Sequence, residues 1–277
     1  MPELPEVEMV KRVIEPQLIG RKIITIQLNQ ESIVAYPEIP EFKQALLNNT
    51  IANMNRRGKF LEIYMENGDK LALHFRMTGS LIVVPKDFPA EKHTHLIMVL
   101  DNNTEVHFTD PRRFGRLWLL RKGEEDTCTG MHKLGLEPFD KNLTDAYLQE
   151  KLAHRKKTIK ECLLDQSVVA GIGNIYSDEI LYVAKIHPNK RACDLTAAEW
   201  QVIAKLIPDV MSFFVEKNKI SREDYFNGKG KEYRNTPYLR VYGHSGEPCS
   251  FCQSELEKMV IGGRSSVYCP QCQKMVR

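Results

Sequence analysis

Two cysteine pairs near the C-terminus, Cys249-x2-Cys252 and Cys269-x2-Cys272 with 16 residues between them, constrain this chain more than any other feature. Each pair can grip one metal ion with two thiolates. The length between them suits a β-hairpin, so the spacing predicts a zinc ribbon. Four sulfur ligands complete a tetrahedral ion and leave no open position, so one structural Zn2+ is expected. The remaining cysteines, Cys128, Cys162 and Cys193, stand singly. An odd total of seven without a secretory segment argues against a disulfide framework and for a reducing, cytoplasmic setting.

The other end opens Met1-Pro2-Glu3-Leu4-Pro5-Glu6. If Met1 is removed, Pro2 becomes a free secondary amine with the carboxylates of Glu3 and Glu6 close by in sequence. An α-amine titrates near about 7.7–8.0, against about 10.4 for lysine, so far more of it is neutral and nucleophilic at pH 7. Attack of a secondary amine on a sugar C1′ gives a cationic iminium directly. That ion acidifies the neighbouring sugar hydrogens and opens a route to strand cleavage by elimination. Glu3 could protonate the ring oxygen and then shuttle protons; Glu6, one helical turn on, could orient the amine or bind nearby backbone N–H groups.

The chain of 277 residues suits two domains with their own cores. Its net charge of +3 is modest, so the distribution matters more than the total. Arg155, Lys156, Lys157 and Lys160 lie in an acid-free stretch over 151–160. A second basic region holds Lys217, Lys219, Arg222, Lys229, Lys231, Arg234 and Arg240. Such clusters neutralise phosphates. No window reaches the ~18 apolar residues of a membrane span.

Pro5 suits a first helical turn, and Val7, Val10, Val13, Ile14 and Leu18 recur at helical spacing up to Gly20. From about 22 to 120 the period shifts toward two. Strands are predicted over 23–28, 60–65, 70–75, 81–84, 95–100, 105–109 and 117–120, which suggests a β-sandwich. Residues 131–142 read as a linker. Helices are predicted over 144–153, 158–165, 174–184, 196–207 and 209–217.

Gly171-Ile172-Gly173-Asn174 joins two predicted helices, with Asn174 placed as an N-cap and glycines that let backbone N–H groups approach an anion. Met77 and Phe114 fall on predicted turns, within His74-Phe75-Arg76-Met77-Thr78-Gly79 and Asp110-Pro111-Arg112-Arg113-Phe114-Gly115. Apolar side chains at such tips can wedge into a base stack and stabilise an extruded nucleotide. Ordinary core packing is the other reading of them. Arg57-Gly58-Lys59-Phe60 puts a lysine on a turn.

Taken together, and in this order along the whole chain, these segments resemble formamidopyrimidine-DNA glycosylase, the bacterial family that removes oxidised purines from DNA. Leu4 favours it over the related endonuclease VIII, which typically carries glycine there. The resemblance implies an α+β multidomain fold: an N-terminal β-sandwich with a leading helix over 1–130, a linker over 131–142, a helix–two-turn–helix domain over 143–240 and a zinc finger over 241–277. DNA would lie between the lobes. It implies Pro2 as the Schiff-base nucleophile, Glu3 as acid/base, Glu6 as a supporting carboxylate and Lys59 in the catalytic set. Lys59, His74, Asn174 and Arg264 would contact phosphates. Met77, Arg112 and Phe114 would fill the gap left by the flipped base, with Arg112 facing the orphaned cytosine. The partner would be double-stranded DNA holding an oxidised base or an abasic site, met by a monomer in the cytoplasm at the nucleoid.

Two departures stand out. Where the family usually has Gly-Gly-Thr/Ser-Thr in the loop covering the lesion, this chain has Asn218-Lys219-Ile220-Ser221, so the cover loop is assigned to Lys219, Ile220 and Ser221. Glu223 stands where a basic residue is common, and His244 where arginine is usual. These leave the Pro2 chemistry untouched and bear on base preference. The expected activity is a bifunctional glycosylase and abasic-site lyase acting by β,δ-elimination on 8-oxoguanine and formamidopyrimidines. The alternatives are the same chemistry with altered lesion preference, such as oxidised pyrimidines or ring-opened bases, and a damage-binding protein without turnover.

Overall fold

The structure, a computed structural model, describes residues 2–231 and 233–275. In chain order its regular elements are α1 (Leu4–Leu18), β1 (Ile23–Leu28), β2 (Val34–Tyr36), α2 (Ile39–Leu46), β3 (Ile51–Arg57), β4 (Phe60–Met65), β5 (Lys70–His74), β6 (Ser80–Pro85), β7 (Thr94–Leu100), β8 (Thr104–Thr109) and β9 (Arg116–Leu120). Then follow α3 (Asp145–Leu152), α4 (Ile159–Leu163), α5 (Asn174–Ala184), α6 (Ala197–Lys217), α7 (Arg222–Asn227), β10 (Glu257–Ile261) and β11 (Arg264–Tyr268). Among the described residues no helix is long and apolar enough to cross a membrane.

Two compact units emerge: Met1–His132 with Asn218–Arg234, and Lys133–Lys217 with Asn235–Arg277. The expected segment 143–240 is therefore divided, because Ile220, Tyr225, Phe226 and Tyr233 pack against the first core. The expected finger over 241–277 is likewise no separate body. Val241, Cys249, Leu256, Val267 and Cys269 form a core with Tyr182 of α5.

In the first unit a four-stranded sheet, β1-β7-β8-β6, faces a five-stranded sheet, β2-β9-β5-β4-β3. Leu81, Val83, Met98 and Phe108 from one sheet and Leu61, Ile63, Leu73 and Leu119 from the other share a single core. That is a two-layer sandwich. The α1 stripe of Val7, Val10, Ile14 and Leu18 joins the same core. Each such aliphatic side chain contributes about 1.5–3 kcal/mol when fully buried, which holds the helix and the chain terminus before it. The sequence reading lacks β2 and β3. Both are sheet edges, and an edge strand such as Ile-Ala-Asn-Met-Asn-Arg-Arg needs little apolar alternation.

In the second unit, α4 and α5 flank the turn around Gln166. Its Nε2 donates to the Leu164 and Ile172 carbonyls at 3.1 and 2.7 Å, and its Oε1 accepts the Gly171 N–H at 2.9 Å. Helix α6 runs unbroken through Pro208, where two helices were expected. The buried stripe Trp200, Ile203, Ile207, Val210, Met211 and Phe214 continues across the proline. Packing of that face outweighs one lost hydrogen bond.

Candidate active site

Glu3 is the N-cap of α1, and a capping box links it with Glu6. One Glu6 oxygen accepts the Glu3 N–H at 2.8 Å; the other accepts from Asn218 Nδ2 at 3.0 Å. Pro2, Glu3 and Glu6 are all buried. The residue that would become a terminal nucleophile is thus fixed by helix packing on one side and by a buried carboxylate on the other. Met1, whose removal the amine chemistry requires, lies outside the described residues.

Lys59 follows Gly58 in the two-residue turn between β3 and β4, where Arg57 pairs with Phe60. Glycine has the first central position, with φ +54°. Lys59 is not the solvated turn lysine that is commonest in such loops, for it is buried. Arg56 braces this turn. Its Nη1 donates to the Gly58 carbonyl at 3.2 Å and its Nε pairs with Glu8 of α1 at 3.1 Å. Sequence reading missed Arg56, since an arginine on an edge strand carries no signal of its own.

His74 ends β5 opposite Phe60, whose ring meets it edge-on at 4.7 Å. Burial, then the charges of Arg76 and Lys59, push its pKa down to about 3, so the ring is neutral at pH 7. Its Nδ1 accepts the Arg76 N–H at 3.0 Å, which assigns the ring proton to Nε2. His74 is therefore an uncharged N–H donor. A folded pKa below the ordinary 6.5 means the unfolded chain binds the extra proton first. Stability from this site is then complete above pH 6.5 and declines toward pH 3, by up to about 1.4 kcal/mol per pH unit. Thermal unfolding across that window should show a shallower acid slope in His74→Gln than in the parent protein.

Met77, Arg112 and Phe114 are exposed on two loops, Met77 by 42% and Phe114 by 46%, with the Arg112 guanidinium 4.7 Å over the Phe114 ring. The ordinary-core reading of these two apolar residues is set aside by that exposure. Both loops hang from the fully buried Asp110. Its carboxylate accepts the Gly115 N–H at 2.7 Å, the Arg112 N–H at 3.2 Å and the Thr78 hydroxyl. Gly115 is required by contact, since a Cβ there would sit 2.6 Å from Phe108. Asp110 was visible in the motif, but its role as the shared anchor was not.

The segment after α6 explains its own departures. None of residues 218–221 is among those with positive φ, so the missing glycines cost no backbone strain here. Asn218 is fully buried, Lys219 exposed, and Ile220 packs partly buried on the first core. Ser221 caps α7, its hydroxyl accepting the Asp224 N–H at 3.0 Å. Glu223 falls in the first turn of that helix, where a carboxylate suits the dipole. His244 pairs with Glu247 at 2.8 Å.

In the second unit Gly173, not Asn174, occupies the N-cap of α5. The Asn174 amide turns away from the helix and donates through Nδ2 to the Ser265 carbonyl at 3.0 Å, which leaves its buried Oδ1 without a partner among the described residues. Any phosphate contact falls to donor groups, since Oδ1 only accepts. Arg264 opens β11 at the hairpin tip and is exposed. The four cysteine sulfurs lie within 4.8 Å of one another, with Cys249 and Cys272 3.9 Å and Cys252 and Cys269 3.4 Å apart. Zinc–sulfur bonds of about 2.3 Å in a tetrahedron require sulfurs about 3.8 Å apart, so the set fits the ion. The Phe251 and Cys272 N–H groups point at Cys249 and Cys269 Sγ, as thiolates require.

Models of the formamidopyrimidine-DNA glycosylase N-terminal domain and of its H2TH domain match residues 1–117 and 134–225, and the zinc finger found in FPG and IleRS matches 246–274. The chain belongs to the formamidopyrimidine-DNA glycosylase family. It is 41% identical over 277 residues to formamidopyrimidine-DNA glycosylase of Bacillus cereus strain ATCC 10987, covering all of both chains. It is similar to Lactococcus lactis Fpg in complex with DNA containing an abasic site (TM-score 0.88, 32% identity, 99% of this chain and 100% of that one). The same relative in complex with Fapy-dG DNA gives a TM-score of 0.87 at 34% identity, again over 99% and 100%. The glycosylase fold, its helical domain and its zinc finger thus follow the family throughout.

Proposed function

We propose that this glycosylase excises oxidised purines from double-stranded DNA and cuts the resulting abasic site, with Pro2 as the nucleophile. The buried segment before α1 carries the reading: Pro2 is buried, and Glu3 beside it is held by Glu6. Pro2 nitrogen attacks C1′, the base leaves, and Glu3 protonates the ring oxygen as the sugar opens to an iminium. Loss of a C2′ proton breaks the C3′–O bond and expels the 3′ phosphate (β-elimination), and loss of a C4′ proton breaks the C5′–O bond and expels the 5′ phosphate (δ-elimination). Lys59 and the neutral His74 bind phosphates of the lesion strand, with Asn174 and Arg264 holding others. Met77, Arg112 and Phe114 replace the extruded nucleotide in the stack, and Lys219, Ile220 and Ser221 cover it. Action on chromosomal DNA would place the protein at the nucleoid. The abasic-site and Fapy-dG complexes of the Lactococcus relative support the substrate class.

Borohydride trapping tests this on two duplexes, one with 8-oxoguanine opposite cytosine and one with an abasic site. A covalent adduct on both, lost in Pro2→Gly, is the expected result. An adduct on the abasic duplex alone would keep the lyase and move base choice to another lesion. Absence of both, with Met1 removed, would overturn the enzymatic reading.

A further inference from the structure

Asn218 sits fully buried where the chain re-enters the first unit, 212 residues from the carboxylate it touches. Its Nδ2 donates to Glu6 Oε1 at 3.0 Å, and its Oδ1 accepts the Arg234 N–H at 3.0 Å. The other Glu6 oxygen accepts the Glu3 N–H at 2.8 Å. We propose that Asn218 is a positioning residue of the active site, one amide that closes both ends of the 218–234 segment and clamps Glu6, and through it the backbone beside Pro2. The inference rests on Pro2 and Glu3 being the reacting residues.

The chemistry of the amide suits this place. A carboxylate oxygen needs a donor and a backbone N–H needs an acceptor, and asparagine supplies both from one short planar group. A glycine would have no side chain to bridge the two. An aspartate would fill the same space but present an acceptor to an acceptor. Elsewhere the segment is held by separate contacts: Tyr225 hydroxyl to the Leu81 carbonyl at 2.9 Å, Phe226 against Phe88 at 5.4 Å, and Lys231 to Glu91 at 2.8 Å. The Asn218 contact ties it to Glu6, the residue that holds Glu3.

Two readouts test it. Hydrogen exchange of the free protein should show the peptides after Asn218 opening about ten- to a hundred-fold faster in Asn218→Ala, the loss expected for a buried hydrogen bond to a charged group. On the abasic duplex, Asn218→Ala should keep its Kd while the single-turnover rate of borohydride adduct formation falls about ten-fold, since positioning acts on the reacting state. Asn218→Asp should behave like the alanine variant, because it keeps the shape and loses the donor. Asn218→Gly, which removes the whole side chain at a position whose φ is not positive, serves if alanine fails to fold. Wild-type rates in Asn218→Asp, or unchanged exchange and unchanged rate in Asn218→Ala and Asn218→Gly, would overturn the proposal. If the parent protein forms no adduct, the lyase reading fails, and exchange alone still decides whether the tether exists.

Discussion

Stripping zinc with a chelator should disorder the hairpin and weaken binding to a duplex carrying a stable abasic-site analogue by about ten- to a hundred-fold, the weight of one lost charge-assisted contact such as that of Arg264. The four sulfurs already lie within 4.8 Å of one another, and without the ion they are thiols crowded around no bond. Structural zinc supplies about 10–16 kcal/mol in isolated fingers. Here part of the hairpin's order comes from the core it shares with Tyr182, Val241 and Leu256, so loss of the ion should loosen the finger more than it unfolds the unit. Near-ultraviolet dichroism, thermal unfolding and fluorescence anisotropy, each with and without chelator and in Cys269→Ser, would measure this. Unchanged affinity with the metal gone would mean that packing alone holds the finger and that Arg264 is no phosphate contact.

Much of this molecule was legible because its chemistry is local in sequence. Cysteine spacing gives the zinc site, the Pro-Glu start gives a capped helix with its terminus at hand, and alternating apolar residues give seven of the nine sandwich strands. What escaped was set by distant partners. Edge strands β2 and β3 carry little alternation because one margin of each meets no neighbour. Pro208 stays helical because the α6 stripe is buried on both sides of it. Asn174 does not cap α5 because the helix already begins at it, with Gly173 at the N-cap, and its Nδ2 is turned to a carbonyl 91 residues away. The 218–234 segment joins the first unit through Glu6 and Leu81, which no local pattern reveals. Family resemblance supplied only the roles expected of Lys59, His74 and Arg264; their burial and partners had to be read from the structure.

The largest stability loss from a single substitution should come from Lys160→Met. Lys160 and Asp178 are both fully buried, with Nζ and Oδ1 2.7 Å apart. Lys160 Nζ also donates to the Ser265 carbonyl at 3.0 Å, and Asp178 accepts the Ser266 hydroxyl at 2.6 Å and the Val267 N–H at 3.1 Å. The pair therefore stitches α4 and α5 to β11. Removing one member of a buried pair costs about 3–5 kcal/mol, because the other is left either charged in a low-dielectric site or forced to take up a proton. Burial already pushes the Asp178 carboxyl up against the pull of Lys160, so without the lysine it should take up a proton rather than stay charged. The double variant Lys160→Met/Asp178→Asn removes both charges and should lose clearly less stability than the sum of the single changes. Ser265 carbonyl is shared with Asn174 Nδ2, so Lys160→Met should also weaken DNA binding while leaving the reactivity of Pro2 intact. Urea unfolding of the four proteins measures the coupling. Additive losses, a double variant as weak as the sum of the singles, would show that the two charges stabilise the fold independently and would end the case for a stitched hairpin.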